Sequence, residues 1–82
     1  MYIEFDLSGI KNSGEFLLLR KELLEWGKRY SIKYREKTIK RTHRVTFDQD
    51  ENYSFWAITW NPHYEFELSR QYRIVSDLNN KI

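Results

Sequence analysis

The segment from Phe16 to Tyr30 constrains the fold of this chain most strongly, because its apolar residues recur every three or four positions. The apolar stripe consists of Phe16, Leu19, Leu23, Trp26 and Tyr30. Charged residues occupy the opposite side, so the spacing predicts an amphipathic helix with one face in a core. Asn12 is predicted to cap the start of this helix, and Gly27 is predicted to end it in a left-handed conformation. Such a helix needs a second layer of structure to cover its apolar face.

Alternation of apolar and polar residues with a period of two predicts that this second layer is a sheet. The predicted strands cover residues 2–7, 30–37, 43–48 and 53–60. The last of them is rich in aromatic and β-branched side chains and is predicted to be the central strand. No Gly, Pro or Asn lies between Glu36 and Thr42, which predicts a wide connection there.

The carboxyl-terminal segment leaves two alternatives open. An Asn-Pro pair favours a helix over residues 62–79, whereas alternating apolar residues over 63–69 are typical of a strand. The helix is the predicted form. Together these patterns predict one small α+β domain over residues 1–82. Its predicted order is β-α-β-β-β-α, with a mainly antiparallel sheet packed on an amphipathic helix.

Composition argues against several kinds of chemistry. The chain has no cysteine, which excludes disulfides, thiolate metal sites and thiol catalysis. Its two histidines, His43 and His63, form no recognisable pattern with a nucleophile, and His43 is expected to be a hydrogen-bonded strand residue. We therefore expect a protein that is not an enzyme and that uses no metal or cofactor. The amino terminus lacks a signal-peptide pattern, so a cytoplasmic location without membrane association is expected.

Charge is distributed unevenly along the chain. Residues 28–44 carry a formal charge of +7, whereas residues 1–27 carry −2 and residues 45–82 carry −3, for a total of +2. The candidate binding residues are the eight cations of this basic segment: Lys28, Arg29, Lys33, Arg35, Lys37, Lys40, Arg41 and Arg44. Two of them, Lys28 and Arg29, also complement the carboxyl end of the helix dipole.

The spacing within the basic segment favours a polyanionic partner. Lys33, Arg35 and Lys37 are predicted to project from one strand face at intervals of about 7 Å, which is close to the spacing of successive phosphates. The interleaved Tyr30 and Tyr34 are predicted to point the other way, so contacts with the backbone are expected more than contacts with bases. The expected function is a small non-enzymatic protein that binds a polyanion, most simply the phosphates of DNA or RNA.

Three other interpretations of the same surface remain open. The protein is alternatively a protein–protein interaction or inhibitor module that docks on an acidic protein surface, for example that of a nucleic-acid-binding enzyme. Such a module would also use exposed aromatic residues such as Tyr34, Trp56 or Trp60. The cations could instead only keep a strand edge in solvent, with no ligand. A homodimer is expected if the aromatic strand at 53–60 is left uncovered.

Overall fold

An antiparallel sheet with helices on a single face organises the protein. The computed structural model describes residues 1–10, 13–63 and 66–76. Within them the elements are β1 (Tyr2–Asp6), α1 (Ser13–Tyr30), β2 (Tyr34–Ile39), β3 (Thr42–Phe47), α2 (Glu51–Thr59), α3 (Glu67–Arg70) and β4 (Tyr72–Val75). The strands lie side by side in the order β2-β3-β1-β4, and each neighbouring pair is antiparallel. The predicted α+β class with an antiparallel sheet is confirmed. The predicted Asn12 cap lies outside the described residues.

The hydrophobic core lies between the sheet and the helices. The strands contribute Ile3, Phe5, Val45 and Phe47, and the helices contribute Leu19, Leu23, Trp26, Tyr53, Trp56 and Leu68. Successive side chains of a strand point to opposite faces, so the alternation predicted for β1 and β3 places their apolar residues on the helix side. The apolar stripe of α1 packs against them, and this burial holds the two layers together.

Residues 53–60 form most of the helix α2, and the prediction of a central strand there was wrong. Tyr53 and Trp56 are three positions apart and therefore share one helical face, which is buried against the sheet. Ile58, which would lie beside Trp56 in a strand, is 84% exposed. The Tyr53 hydroxyl donates a hydrogen bond to the carbonyl oxygen of Met1 (2.5 Å) and accepts one from the Phe47 backbone N–H (2.9 Å), which ties α2 to the sheet.

The carboxyl-terminal segment is neither the predicted helix over 62–79 nor the alternative strand over 63–69. In the described part of this segment, the short helix α3 is followed by strand β4, which pairs with β1. The element order is therefore β-α-β-β-α-α-β. The free edge of β1 explains this outcome, because β4 gains backbone hydrogen bonds there and places Tyr72 against Phe5 and Trp56.

Helix α1 ends later than predicted, and a residue other than Gly27 takes the left-handed conformation. The helix continues through Gly27 to Tyr30, and Ser31 has a φ of 56°. The Ile32 backbone N–H then donates a hydrogen bond to the Gly27 carbonyl oxygen (2.9 Å), which is the pattern of a Schellman cap. For this reason the strand predicted from residue 30 begins at Tyr34.

Replacing Ser31 by glycine is expected to stabilise the protein by about 1 kcal/mol. A side chain at positive φ costs about 1–2 kcal/mol, and glycine removes that cost; the greater conformational entropy that glycine gives the unfolded chain offsets part of the gain. Urea denaturation followed by circular dichroism measures the difference. The matched control is Ser54→Gly in α2, an exposed helical position, which is expected to lose about 0.5 kcal/mol. A Ser31→Gly variant that is less stable than the wild type would contradict the cap geometry.

Strands β2 and β3 are joined by a tight two-residue turn, and the predicted wide connection was wrong. Ile39 is paired with Thr42, so only Lys40 and Arg41 lie in the turn. Lys40 has a φ of 54°, a conformation that Gly or Asn usually takes in such turns, so the turn could not be recognised from the sequence. The Leu7 backbone N–H donates to the Arg41 carbonyl oxygen (2.7 Å), which holds the turn against the end of β1.

Candidate nucleic-acid interface

The sheet face that points away from the core carries the candidate site, and we call it the open face. No described helix packs on it, because the buried side chains of the helices all cluster with the apolar face of the sheet. The open face is formed by Tyr2, Glu4, Asp6, Arg35, Lys37, Ile39, Thr42, Arg44, Thr46, Arg73 and Val75. It therefore carries four cations and two carboxylates on a surface reachable from solvent.

Strand register aligns charged residues in a row across the open face. Lys37 of β2 is opposite Arg44 of β3, Arg44 is opposite Glu4 of β1, and Glu4 is opposite Arg73 of β4. Neighbouring strands are about 4.8 Å apart, so the row crosses the sheet in about 14 Å. Three positions of this row are cationic and one is acidic.

The cations of β2 and β3 are the ones left uncompensated. Glu4 accepts hydrogen bonds from Arg73, with an Nη2 to Oε1 distance of 2.7 Å, and this pair neutralises the β4 side of the row. The Arg44 guanidinium lies over the Tyr2 ring, 4.3 Å from its centre, and pairs with no carboxylate of residues 1–10, 13–63 or 66–76. Among the described residues, Arg35 and Lys37 form no ion pair and both are exposed. The positive charge is thus concentrated on the β2–β3 half.

The structure divides the eight candidate residues into separate groups. Arg35, Lys37 and Arg44 are brought together on the open face, and Lys40 and Arg41 lie at the tip of the same hairpin. The other three are placed elsewhere: Lys28 and Arg29 in the last turn of α1, and Lys33 in the segment before β2.

These three cations border depressions on the helix side of the molecule. Lys28 and Lys33 flank a largely apolar groove between α1 and β2, whose walls include Leu24, Ile32 and Tyr34. Arg29 faces a different, polar depression that also contains Glu22, Glu25 and His63. Neither depression is part of the open face.

Two residues of the open face were missed by the sequence analysis. Tyr2 and Arg73 lie on β1 and β4, far in sequence from the basic segment. Alternation in β1 does place Tyr2 and Ile3 on different faces of the sheet. Only the pairing of β1 with β3 brings the Tyr2 ring under Arg44. Residues 72–75 were predicted to lie in a helix, so Arg73 was not assigned to this face.

A polar network on the helix side fixes the orientation of β2. Glu36 accepts hydrogen bonds from the Arg20 guanidinium of α1 (3.3 Å) and bonds His43 Nε2 (3.0 Å), while Thr38 Oγ1 bonds His43 Nδ1 (2.9 Å). His43 is 2% exposed, and both ring nitrogens are hydrogen-bonded, as expected from its strand position. Because Glu36 points inward, its neighbours Arg35 and Lys37 point outward.

The charge of Glu36 is maintained by this network. Burial raises the pKa of its carboxyl group, but the hydrogen bonds from Arg20 and His43 and the charge of Arg20 act in the opposite direction and prevail, so the pKa lies below the ordinary value of 4.5. Burial likewise raises the pKa of the adjacent Tyr34 hydroxyl to about 12, with a further contribution from the Glu36 charge. Glu36 is therefore ionised at neutral pH and binds α1 to the hairpin.

The substitution Glu36→Gln is expected to destabilise the protein by about 1 kcal/mol at pH 7, because charged hydrogen bonds to Arg20 are weakened. A folded-state pKa below the unfolded one gives stability that is complete above about pH 4.5 and is lost as the pH falls through the folded-state pKa. The difference from wild type should thus shrink between pH 5 and pH 3. Urea midpoints of both proteins across this range measure it, and a difference that grows on acidification would contradict the network.

The part of the chain described forms neither a metal-binding cluster nor a membrane-spanning helix. Residues 1–10, 13–63 and 66–76 contain no group of three or more His, Asp or Glu residues placed to hold a metal ion. The described residues also contain no helix with the length and apolar character needed to cross a membrane.

His63, predicted to lie in the first turn of a helix, is outside any helix, and its backbone N–H donates to the buried Glu22 carboxylate (2.8 Å).

The fold and the open face define a small two-layer α+β protein with a basic sheet face that no described helix or strand covers. No protein-family model, curated protein or solved structure matches the chain. The case for its function therefore depends on the geometry of its own residues.

Proposed function

We propose that this protein binds nucleic acid through the phosphate backbone, with the β2–β3 half of the open face at the centre of the contact. The observation that supports this proposal is the convergence of Arg35, Lys37 and Arg44 on one uncovered surface without carboxylate partners among the described residues. Lys40 and Arg41, at the hairpin tip, extend the same positive surface. The remaining candidate cations, Lys28, Arg29 and Lys33, contribute only to the long-range field.

Counterion release gives this proposal a quantitative signature. Each phosphate neutralised by a cation releases condensed counterions, so the logarithm of the affinity falls linearly with the logarithm of the salt concentration. Three contacts from the open face predict a slope of about −2 to −3, and two further contacts from the hairpin tip would steepen it to about −3.5 to −4.5. A complex held by apolar contacts would show little salt dependence.

The test is the affinity of the double variant Arg35→Glu/Lys37→Glu for a fluorescein-labelled oligonucleotide, measured by fluorescence anisotropy between 25 and 200 mM salt. Both side chains are exposed, so the variant is expected to fold and to bind about 10-fold or more weakly, with a shallower salt slope. The matched control is Lys21→Glu/Arg70→Glu, which makes the same change in net charge at exposed positions on the helices. Equal losses in both variants, or no binding by the wild type at 25 mM salt, would refute the proposal.

The alternative of a protein-binding module is supported by a different surface. The apolar groove between α1 and β2 lies beside the outer edge of β2, which no described strand covers, and its wall residue Leu24 is 49% exposed. Lys28 and Lys33 at this groove suit an acidic partner. Of the aromatic residues predicted to dock, Trp56 is fully buried and unavailable. The homodimer prediction depended on an aromatic strand at 53–60, and this segment is instead mostly helical. Binding that resists nuclease and high salt and is lost in Leu24→Glu would select this alternative.

A further inference from the structure

The shape of the open face limits which form of nucleic acid it can contact. The charged row of the face spans four strands over about 14 Å, whereas the major groove of B-DNA is about 12 Å wide and admits one helix or a two-stranded ribbon. A sheet of this width touches only the outer phosphates of a duplex. A single strand, in contrast, can lie along it with both its phosphates and its bases in contact.

The β2–β3 hairpin is not a free ribbon that could enter a groove on its own. Strand β1 accompanies it to its tip, since Asp6 is paired with Thr42 and the Leu7 N–H donates to the Arg41 carbonyl oxygen. The helices cover its other face, where Phe16 of α1 lies against the His43 ring at a centroid distance of 4.9 Å. The hairpin could enter a duplex groove only if these elements were displaced.

The open face also offers an aromatic ring beside its cations. Arg35 is opposite Thr46, and Tyr2 lies on the next strand, so a cation, a small side chain and a ring follow one another across three strands. The Arg44 guanidinium lies over the Tyr2 ring and adds a second planar group. Aromatic rings and guanidinium planes are the groups on which unpaired bases stack in proteins that bind single strands.

The relative positions of cations and ring set an orientation for such a strand. Arg35 and Lys37 project from β2, the edge strand, about 7 Å apart, which suits successive phosphates of an extended chain. A strand running along β2 would direct its bases inward over Thr46 to Tyr2. At the opposite end of β1, the Asp6 carboxylate accepts hydrogen bonds from the Ser8 hydroxyl (2.6 Å) and backbone N–H (2.9 Å), and these hold its pKa below the ordinary value. Asp6 therefore carries a negative charge at the end of β1 that lies beside the hairpin tip.

We infer that the open face is a binding site for single-stranded nucleic acid, with phosphates over Arg35 and Lys37 and at least one base stacked on the Tyr2–Arg44 pair. This inference rests on the proposed function and adds the form of nucleic acid and the residue that holds a base. Duplex binding through the same cations is weaker because it forgoes the stacking contact.

The experiment compares a labelled 12-nucleotide DNA strand of mixed sequence with the duplex that it forms with its complement, by fluorescence anisotropy at 50 mM salt. The wild type is expected to bind the single strand about 10-fold or more tightly than the duplex. Tyr2→Leu, which keeps an apolar side chain without the ring, is expected to weaken single-strand binding about 5-fold or more and duplex binding less than about 2-fold. Tyr2→Phe keeps the ring and is expected to change either affinity less than about 2-fold.

The outcomes separate this inference from the proposed function. Duplex binding as tight as single-strand binding by the wild type overturns the inference and leaves phosphate binding in place. No binding to either form overturns the proposed function, and the inference with it. A single-strand preference that is undiminished in Tyr2→Leu overturns the stacking role of Tyr2. The comparison of the two DNA forms uses the wild-type protein, so it does not depend on whether a variant folds.

Discussion

Replacing Trp56 by alanine is expected to lower the free energy of unfolding by about 3–5 kcal/mol. Trp56 is 0% exposed and connects α2 to two strands of the sheet: its ring meets Phe5 edge-on (6.1 Å between centroids) and Tyr72 edge-on (4.7 Å), and it stacks on Trp60 (4.9 Å). A domain of this size has a total stability of about 4–12 kcal/mol, so the variant is expected to lose a large fraction of its free energy of unfolding. Urea denaturation followed by circular dichroism measures the loss.

The matched control for this prediction is Ile58→Ala in the same helix. Ile58 is 84% exposed, and its truncation is expected to change stability by less than about 0.5 kcal/mol. The pair also tests the helical form of the segment, because Trp56 and Ile58 would share one face of a strand. Similar losses in the two variants would contradict the structure of α2.

Replacing Gly27 by alanine is expected to destabilise the protein by about 1–3 kcal/mol, although alanine is the better helix former by about 1 kcal/mol. A Cβ atom at this position would lie 2.9 Å from the Ile32 carbonyl oxygen and 3.0 Å from Tyr34 Cε1. The Ile32 backbone is held in place by its own hydrogen bond to Gly27, so it cannot move away without breaking the end of α1. Overpacking therefore outweighs the gain in helix propensity.

Gly14 provides the control for Gly27, since it lies exposed in the first turn of the same helix. Gly14→Ala is expected to be neutral or to stabilise the protein by up to about 1 kcal/mol. Equilibrium urea unfolding of both variants gives the comparison. A Gly27→Ala variant as stable as Gly14→Ala would show that α1 does not approach the segment from Ile32 to Tyr34 as closely as the structure places it.

The elements predicted from sequence alone were those with a strong one-sided pattern. Helix α1 and strands β1 and β3 each have one apolar and one polar face, and each buries its apolar face in the structure. The alternation that defines β2 also placed Arg35 and Lys37 on the same side. That side depends only on the direction of successive side chains along a strand, so it could be read locally.

The segment at 53–60 was mispredicted because its apolar residues fit both the two-residue period of a strand and the three-to-four-residue period of a helix. Aromatic and β-branched residues favour strands only where a pleated, half-buried surface exists for them to cover, and here the sheet offers a face on which a helix packs instead. The left-handed residue at the end of α1 was misplaced for a related reason. Glycine usually marks the left-handed residue that ends a helix. Here Gly27 lies inside α1, where close packing requires it, and Ser31 takes the left-handed conformation instead.

The sequence by itself determined the class of the fold, the amphipathic helix and the concentration of positive charge between Lys28 and Arg44, because these follow from composition and from patterns of short range. Tertiary structure alone decided which of those cations lie together on one surface. Pairing of β2 with β3 and of β1 with both β3 and β4 aligned Arg44 with Lys37, placed Tyr2 beneath Arg44, and neutralised Glu4 with Arg73. Strand register joins residues distant in sequence: the apolar pattern of a strand fixes which face each side chain takes, but not which residue of another strand lies opposite it.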